Sequence, residues 1–291
     1  MSTTADPQHE DVEKNHPNAE SDAEYLLGHG QQEWQRLADQ HRVWRHTLLD
    51  SLERLPLADD ADVLEVGCGS GALLADLVHL TAGGRTVGVE IDPEAVERAR
   101  RALGDKATVH QGDVFELELD DRFDLIVCRW VLSFLHQPKR AVERMAAHLK
   151  PGGVLVIQDY NYDGLRVTPG DPALDRLFEV VPEAYAQNGG DAWVATHLPR
   201  LFAELALELE AVEPHCLAGD HESPVFGWVE TFFRNHIPTL VKDGLLSDDE
   251  AARALEAWTA VHDVPGTVLF SPLVVNVIGR KPIESLTGPT S

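Results

Sequence analysis

From Val63 onward the chain alternates short apolar runs with amphipathic stretches. The runs DVLEV, RTVGVEI, ATVHQGD, FDLIVCR and VLVIQDY each predict a strand. Between them, the stretch from GCGSG to about Leu80, then PEAVERARRAL, then PKRAVERMAAHLKPGG predict helices. Pro93 suits a first helical turn, while Lys150 and the following Pro-Gly-Gly close the last of these helices. Such alternation predicts an α/β fold, a parallel sheet with helices on both faces. Upstream, Trp34, Leu37, His41, Trp44 and Leu48 recur at spacings of three and four, which predicts one face of a helix within Tyr25–Leu55, ended by Pro56. Beyond Tyr160 the alternation breaks. Helices are expected around Asp171–Ala186, Thr196–Ala206, Val225–Val241 and Ser247–His262, with strands at Leu207–Cys216 and Thr267–Arg280.

This pattern divides the chain into a polar, acidic, disordered tail (1–21), an N-terminal helical lid (22–57) and an α/β core (58–160). A cap insertion (161–195), a C-terminal continuation of the core with a helical insertion (196–284) and a short tail (285–291) complete it.

Charge narrows the partners. With 24 Lys and Arg against 49 Asp and Glu, the formal net charge is −25, which repels phosphate backbones and anionic membrane surfaces. No nucleic-acid or membrane partner is expected, and no apolar run has the length of a membrane span. Cys68, Cys128 and Cys216 are too few and too scattered for a disulfide or zinc framework, so a cytoplasmic, soluble protein is expected. No His pair has metal-ligand spacing with a matching third ligand, so no metal is expected.

The stretch EVGCGSG places Gly67, Gly69 and Gly71 between a strand and a helix. Such a loop lets a ligand approach the backbone and leaves free N–H groups at the helix start. With Ala72 it also fits a dinucleotide pattern, which keeps an NAD-dependent oxidoreductase open at this step. Three acids shift the balance. Glu65 lies inside the first strand, where it suits a positively charged ligand better than a pyrophosphate. Glu90 ends the second strand and can accept ribose hydroxyls; Asp113 ends the third and can accept from an adenine amino group. Open parallel sheets bind ligands at these strand ends.

The motifs VLEVGCGSGALL, VGVEIDPEAVERAR, HQGDVFEL and the stretch from Phe123 to Asp159 resemble those of class I S-adenosylmethionine-dependent methyltransferases, over about residues 60–160. The resemblance implies a seven-stranded, mostly parallel Rossmann-like sheet with an antiparallel last strand, and S-adenosylmethionine as cofactor with S-adenosylhomocysteine as product. By motif position, Glu65, Gly67, Cys68, Gly69 and Gly71 would surround the methionine moiety, Glu90 and Ile91 the ribose, and Asp113 and Val114 the adenine. Cys68 would be a loop residue and not a nucleophile.

The fourth strand ends in Arg129-Trp130, without the Asn/Asp-Pro-Pro-aromatic motif of enzymes that methylate nucleobase or glutamine amino groups. The acidic pattern of metal-assisted catechol methylation is absent there too. Arg129 stays protonated and so cannot be a base, but it can hold a carboxylate or bind the cofactor's carboxylate end. Glu33, Arg36 and Gln40 share a helical stripe that a lid would turn inward, which makes Arg36 and Gln40 candidate cofactor contacts. The wider pattern of Tyr25, Glu33, Arg36, Gln40, His41 and Trp44 followed by CRW resembles small-molecule tailoring methyltransferases of secondary metabolism, among them indole C3-methyltransferases. That resemblance implies an acid–base constellation of Tyr25, Glu33 and Arg129 acting on an indole or another aromatic metabolite. Trp34, Trp130, Tyr160 and Trp193 are candidate pocket walls, whereas Phe232 and Phe233 read as core. Contrasting readings are an O- or N-methyltransferase of another small molecule, a protein or RNA methyltransferase, which the charge disfavours, and an idle cofactor-binding module. The helices after the sixth strand offer a homodimer contact.

Overall fold

The structure, a computed structural model, describes residues 31–81 and 83–283, with side chains from Trp34 onward. Its elements are, in order, α1 (Gln31–Leu52), β1 (Val63–Val66), α2 (Ala72–Leu80), β2 (Thr86–Glu90), α3 (Pro93–Leu103), β3 (Thr108–Gln111), β4 (Phe123–Arg129), α4 (Pro138–Ala147) and β5 (Leu149–Asn161). There follow β6 (Arg166–Thr168), α5 (Pro172–Gln187), α6 (Val194–Glu204), β7 (Glu208–His215), β8 (Ala218–Gly219), α7 (Pro224–Lys242), α8 (Asp248–Ala260), β9 (Val268–Phe270) and β10 (Leu273–Arg280).

Seven strands form one sheet in the order β3-β2-β1-β4-β5-β10-β7. β1 to β5 run parallel, and β10 enters antiparallel between β5 and β7, as the methyltransferase resemblance implies. Strand alternation sorts the side chains. Val63, Leu125, Val127, Val154 and Val156 face α1, α2 and α3, packing on Leu48, Leu52, Leu73 and Leu77. Leu64, Val66, Ile126, Cys128 and Ile157 face α4 and α6, packing on Met145, Leu198 and Phe202. By the same alternation Glu65 and Arg129 belong to the first face, beneath α1 and α2.

α1 is fixed to the sheet by buried amides as well as by apolar contact. Gln158 of β5 donates to Thr47 Oγ1 at 3.2 Å and to Asn276 Oδ1 at 2.7 Å. Asn276 of β10 in turn donates to the Thr47 carbonyl and to Ser51 Oγ, both at 2.8 Å. Both amides are fully buried, where a lost partner costs about 1–3 kcal/mol. A third core joins α5, α7 and α8 around Phe178, Phe226, Phe233 and Trp258, and Trp44 of α1 and Tyr160 of β5 belong to it. Phe233 is thus core, as its helical spacing suggests, with Phe232 packed against it.

Two expectations change. The single strand Thr267–Arg280 is broken at Ser271-Pro272: Pro272 has no N–H to give a ladder, and the chain turns there. β9 pairs instead with β6 and β8 in a separate three-stranded sheet, whose members are too short to show a period in the sequence. No helix among the described residues is long and apolar enough to cross a membrane.

Candidate active site

The glycine loop leaves β1 in left-handed backbone, with φ +74° at Gly67, +52° at Gly69 and +85° at Gly71. Gly67 is required twice over, because a Cβ there would lie 2.2 Å from Val131 Cγ2. Gly69 differs: a Cβ there meets nothing within 4 Å among the described residues, which border open space at this point. Glu90, at the end of β2, ties the loop down. Its Oε2 accepts the Gly69 N–H at 2.8 Å, and its Oε1 accepts from Ile91 at 2.8 Å and Asp92 at 3.0 Å. Burial raises its carboxyl against the pull of these amides. Three of about four acceptor positions are used, and the Ile91 side chain is exposed beside them.

Asp113 Oδ1 accepts the Phe115 N–H at 2.8 Å and caps a short 3-10 turn, Val114–Glu116. The Val114 side chain points into the core of the α4 face. Cys68 packs against Leu73 and Leu74 beneath the loop, and burial raises its thiol far above the usual range, which removes it as a nucleophile.

Glu65 is fully enclosed, its Oε2 has no hydrogen-bond partner among the described residues, and burial lifts its carboxyl to about 8, opposed by the charge of Arg129. Arg129 is partly buried beside it. Its Nη2 donates to Nδ1 of His41 at 2.9 Å, while its buried Nη1 has no partner among the described residues. Burial pulls the guanidinium down to about 10, against the charges of Glu65 and Asp76. Because Arg129 can only donate, His41 Nδ1 must be the acceptor; its Nε2 then carries the proton, 3.1 Å from Asp76 Oδ2. Asp76 also binds Arg45, at 2.6 and 3.2 Å. Burial, with Arg129 adding to it, holds His41 down at about 4.

Trp130 follows with φ +53°, a left-handed conformation costly for a bulky residue. Its indole lies under the Arg129 guanidinium, 4.8 Å from carbon to ring centroid, and stacks on Tyr160 at 6.1 Å. Trp44 meets Trp130 edge-on at 6.5 Å and Trp228 of α7 at 5.4 Å. The turn carrying Trp130 is pinned from behind by Asp159, fully buried and raised by burial to about 6, which accepts N–H groups of Ser133 at 3.2 Å and Tyr160 at 2.8 Å.

The remaining sequence candidates scatter. Trp34 lies on α3, under Arg98 at 4.9 Å, beside an open cleft of about 480 Å³ that also touches Ser70 of the glycine loop. Arg36 and Gln40 are buried and bonded to each other at 2.7 Å, and the Arg36 charge acts on Tyr185 of α5 and His236 of α7. Trp193 is 38% exposed and donates to Asp163 at 3.1 Å, apart from the Trp130 group. Tyr25 and the Glu33 side chain lie outside the described residues. Sequence reasoning placed His41 on an apolar face and in the tailoring-methyltransferase pattern, but did not pair it with Arg129. It also missed Asp76, whose signal was a lone carboxylate in the apolar helix ALLADLVHL, and Asp159.

A seven-stranded sheet with this glycine loop and strand-end acids defines the methyltransferase class of Rossmann-like folds, and S-adenosylmethionine is its cofactor. A family profile described as a methyltransferase domain matches residues 37–212, and the chain belongs to that family. The protein named probable methyltransferase ltbC of Aspergillus luteorubrus is 31% identical over 238 residues, covering 75% of this chain and 80% of that one. A trans-aconitate 2-methyltransferase of Azoarcus sp. is 37% identical over 127 residues, 42% of this chain and 50% of that one. The chain spans about half the length of this relative and of a Streptomyces fradiae protein. The Bacillus subtilis YcgJ protein shares the fold with a TM-score of 0.56 at 19% identity, over 82% of this chain and 99% of that one.

Proposed function

We propose that the protein transfers a methyl group from S-adenosylmethionine to a small aromatic metabolite of secondary metabolism, with an indole as the leading acceptor. The observation that carries this reading is Trp130, held in strained backbone at the end of β4 between the Arg129 guanidinium and the Tyr160 ring. Strain at a strand's C-terminal end in an α/β sheet is a mark of function. A planar acceptor against such aromatic walls gains roughly 0.5–1.5 kcal/mol beyond its buried area.

Glu65 and Arg129 are assigned the amino-acid end of the cofactor. Each carries a buried polar atom without a partner, one an acceptor and one a donor, and a zwitterion answers both: ammonium to Glu65 Oε2, carboxylate to Arg129 Nη1. The open side of Gly69 gives room beside them; Glu90 with Ile91 would meet the ribose, and Asp113 with the Val114 backbone the adenine. When bound, the cofactor supplies a methyl group already activated on sulfonium. The chain's own task is therefore to orient the acceptor and take up its proton. Glu33, in the first turn of α1, is assigned that proton, with Tyr25 relaying it and Arg129 supplying fixed positive charge. Residues 22–57 act in this reading as a lid and residues 161–195 as a cap.

The test is methyl transfer from isotope-labelled S-adenosylmethionine to a panel of indoles, phenols and amines, with the product site assigned by NMR. Label at indole C3 is expected. Label on oxygen or nitrogen would overturn the indole assignment while keeping the cofactor residues. Binding of cofactor with no transfer to any aromatic acceptor would overturn the aromatic reading. Glu33→Gln is expected to cut turnover far more than cofactor affinity, and unchanged turnover removes Glu33 from the chemistry.

A further inference from the structure

Arg129 is a partly buried cation whose direct hydrogen-bond partner among the described residues is not a carboxylate but a neutral imidazole. A carboxylate there would neutralise the guanidinium and compete with any anionic ligand for it. His41 accepts one N–H without bringing a carboxylate into direct contact with the guanidinium. The imidazole is itself held: Asp76 Oδ2 of α2, 3.1 Å away, takes the Nε2 proton, which fixes the tautomer with its lone pair on Nδ1. Charged groups reach His41 from three elements, Arg129 from β4, Asp76 from α2 and Arg45 from α1. The guanidinium plane is then determined by two contacts, the Nδ1 lone pair at 2.9 Å and the Trp130 ring at 4.8 Å. With Nη2 committed to His41, Nη1 is the buried donor left over.

We propose that His41 is a positioning residue for the active site: locked by Asp76, it aims the Arg129 fork so that Nη1 meets the ligand carboxylate with its full charge. The inference rests on the reading that Arg129 receives the carboxylate of the cofactor's amino-acid end. It adds that the orientation is imposed by a three-residue relay, Asp76–His41–Arg129, which joins α1 to α2 across the top of β4.

The experiment is calorimetric binding of S-adenosylhomocysteine and of its decarboxylated analogue to the wild-type protein and to H41L, H41N and D76N. The wild type is expected to prefer the carboxylate-bearing ligand by roughly ten- to a hundredfold. H41L loses most of that preference while its affinity for the decarboxylated analogue stays near wild type. H41N, whose side-chain oxygen lies near the position of Nδ1, restores much of the preference without a bond to Asp76. A purely structural histidine predicts the opposite: both ligands weaken together, and H41N rescues neither. That result, or an undiminished preference in H41L, overturns the proposal. Should H41L fail to fold, D76N decides, since it keeps the volume but frees the tautomer; an undiminished preference in D76N overturns the proposal equally. A wild type that binds both ligands alike overturns the prior assignment of Arg129 to the carboxylate, a distinct failure.

Discussion

Arg129 and His41 stand 88 positions apart in the chain and share a hydrogen bond of 2.9 Å, which joins the end of the fourth strand to the helix laid across it. The β1 acid Glu65, the β4 arginine Arg129 and α1 thus meet in one cluster, and each part can be probed separately.

Arg129→Lys keeps a positive charge and loses the planar fork, so it cannot serve His41 and a carboxylate together. Affinity for S-adenosylhomocysteine is expected to fall roughly tenfold or more, measured by calorimetry on protein whose circular dichroism matches wild type. Unchanged affinity would return Arg129 to a structural role.

Glu65 sits at about 8 in the folded protein, above its ordinary 4.5, because it is buried. Between about pH 4.5 and about pH 8 the folded state keeps a proton that the unfolded chain has released. Stability linked to this group is therefore fully present below that window and lost as pH rises through it. The thermal midpoint of ligand-free wild type, taken relative to Glu65→Gln, is expected to decline across the window. A difference that does not vary with pH would contradict it.

Trp130 separates backbone strain from ring contact. W130A and W130G lose the same indole, but glycine accepts φ +53° without penalty, so W130G should be about 1 kcal/mol more stable than W130A in denaturant unfolding. Both variants should raise KM for the acceptor more than Kd for the cofactor. Equal stabilities would mean the strain relaxes on truncation.

The two loop glycines should fail in different ways. G67A drives a methyl group to 2.2 Å from Val131 and should lower the unfolding midpoint sharply. G69A meets open space, so its fold cost is about 1 kcal/mol from φ alone, and its larger effect should be on cofactor affinity. Melting and binding measured side by side distinguish the two patterns.

The parallel half of the sheet was legible because most of its strands are compact apolar runs, with a glycine or an acid at the ends of β1, β2 and β3 and Arg129 at the end of β4. The C-terminal strand was not, since Ser271-Pro272 interrupts the ladder without interrupting the apolar pattern. At the site, Glu65 and Glu90 could be read from their offsets to the glycines, which local backbone fixes. Arg129 stood out by its position. His41 and Asp76 did not, because a polar pair made between helices leaves no mark in either helix's own period. Trp193 and Trp44 look alike as letters; one is tied to Asp163 at the surface, while the other lies at the centre of the aromatic group. Only the packing of α1 against α7 separates them.

The amides of Gln158 and Asn276, bonded to each other, grip α1 at Thr47 and Ser51 through three hydrogen bonds that no neighbouring register can reproduce. A slide of one residue would break them inside a dry interface. The second half of α1 is therefore a fixed post, keyed to the sheet as a tooth is to a rack. His41 lies about two turns ahead of Thr47 along this post, so its position over Arg129 inherits the rigidity of a strand rather than that of a loop.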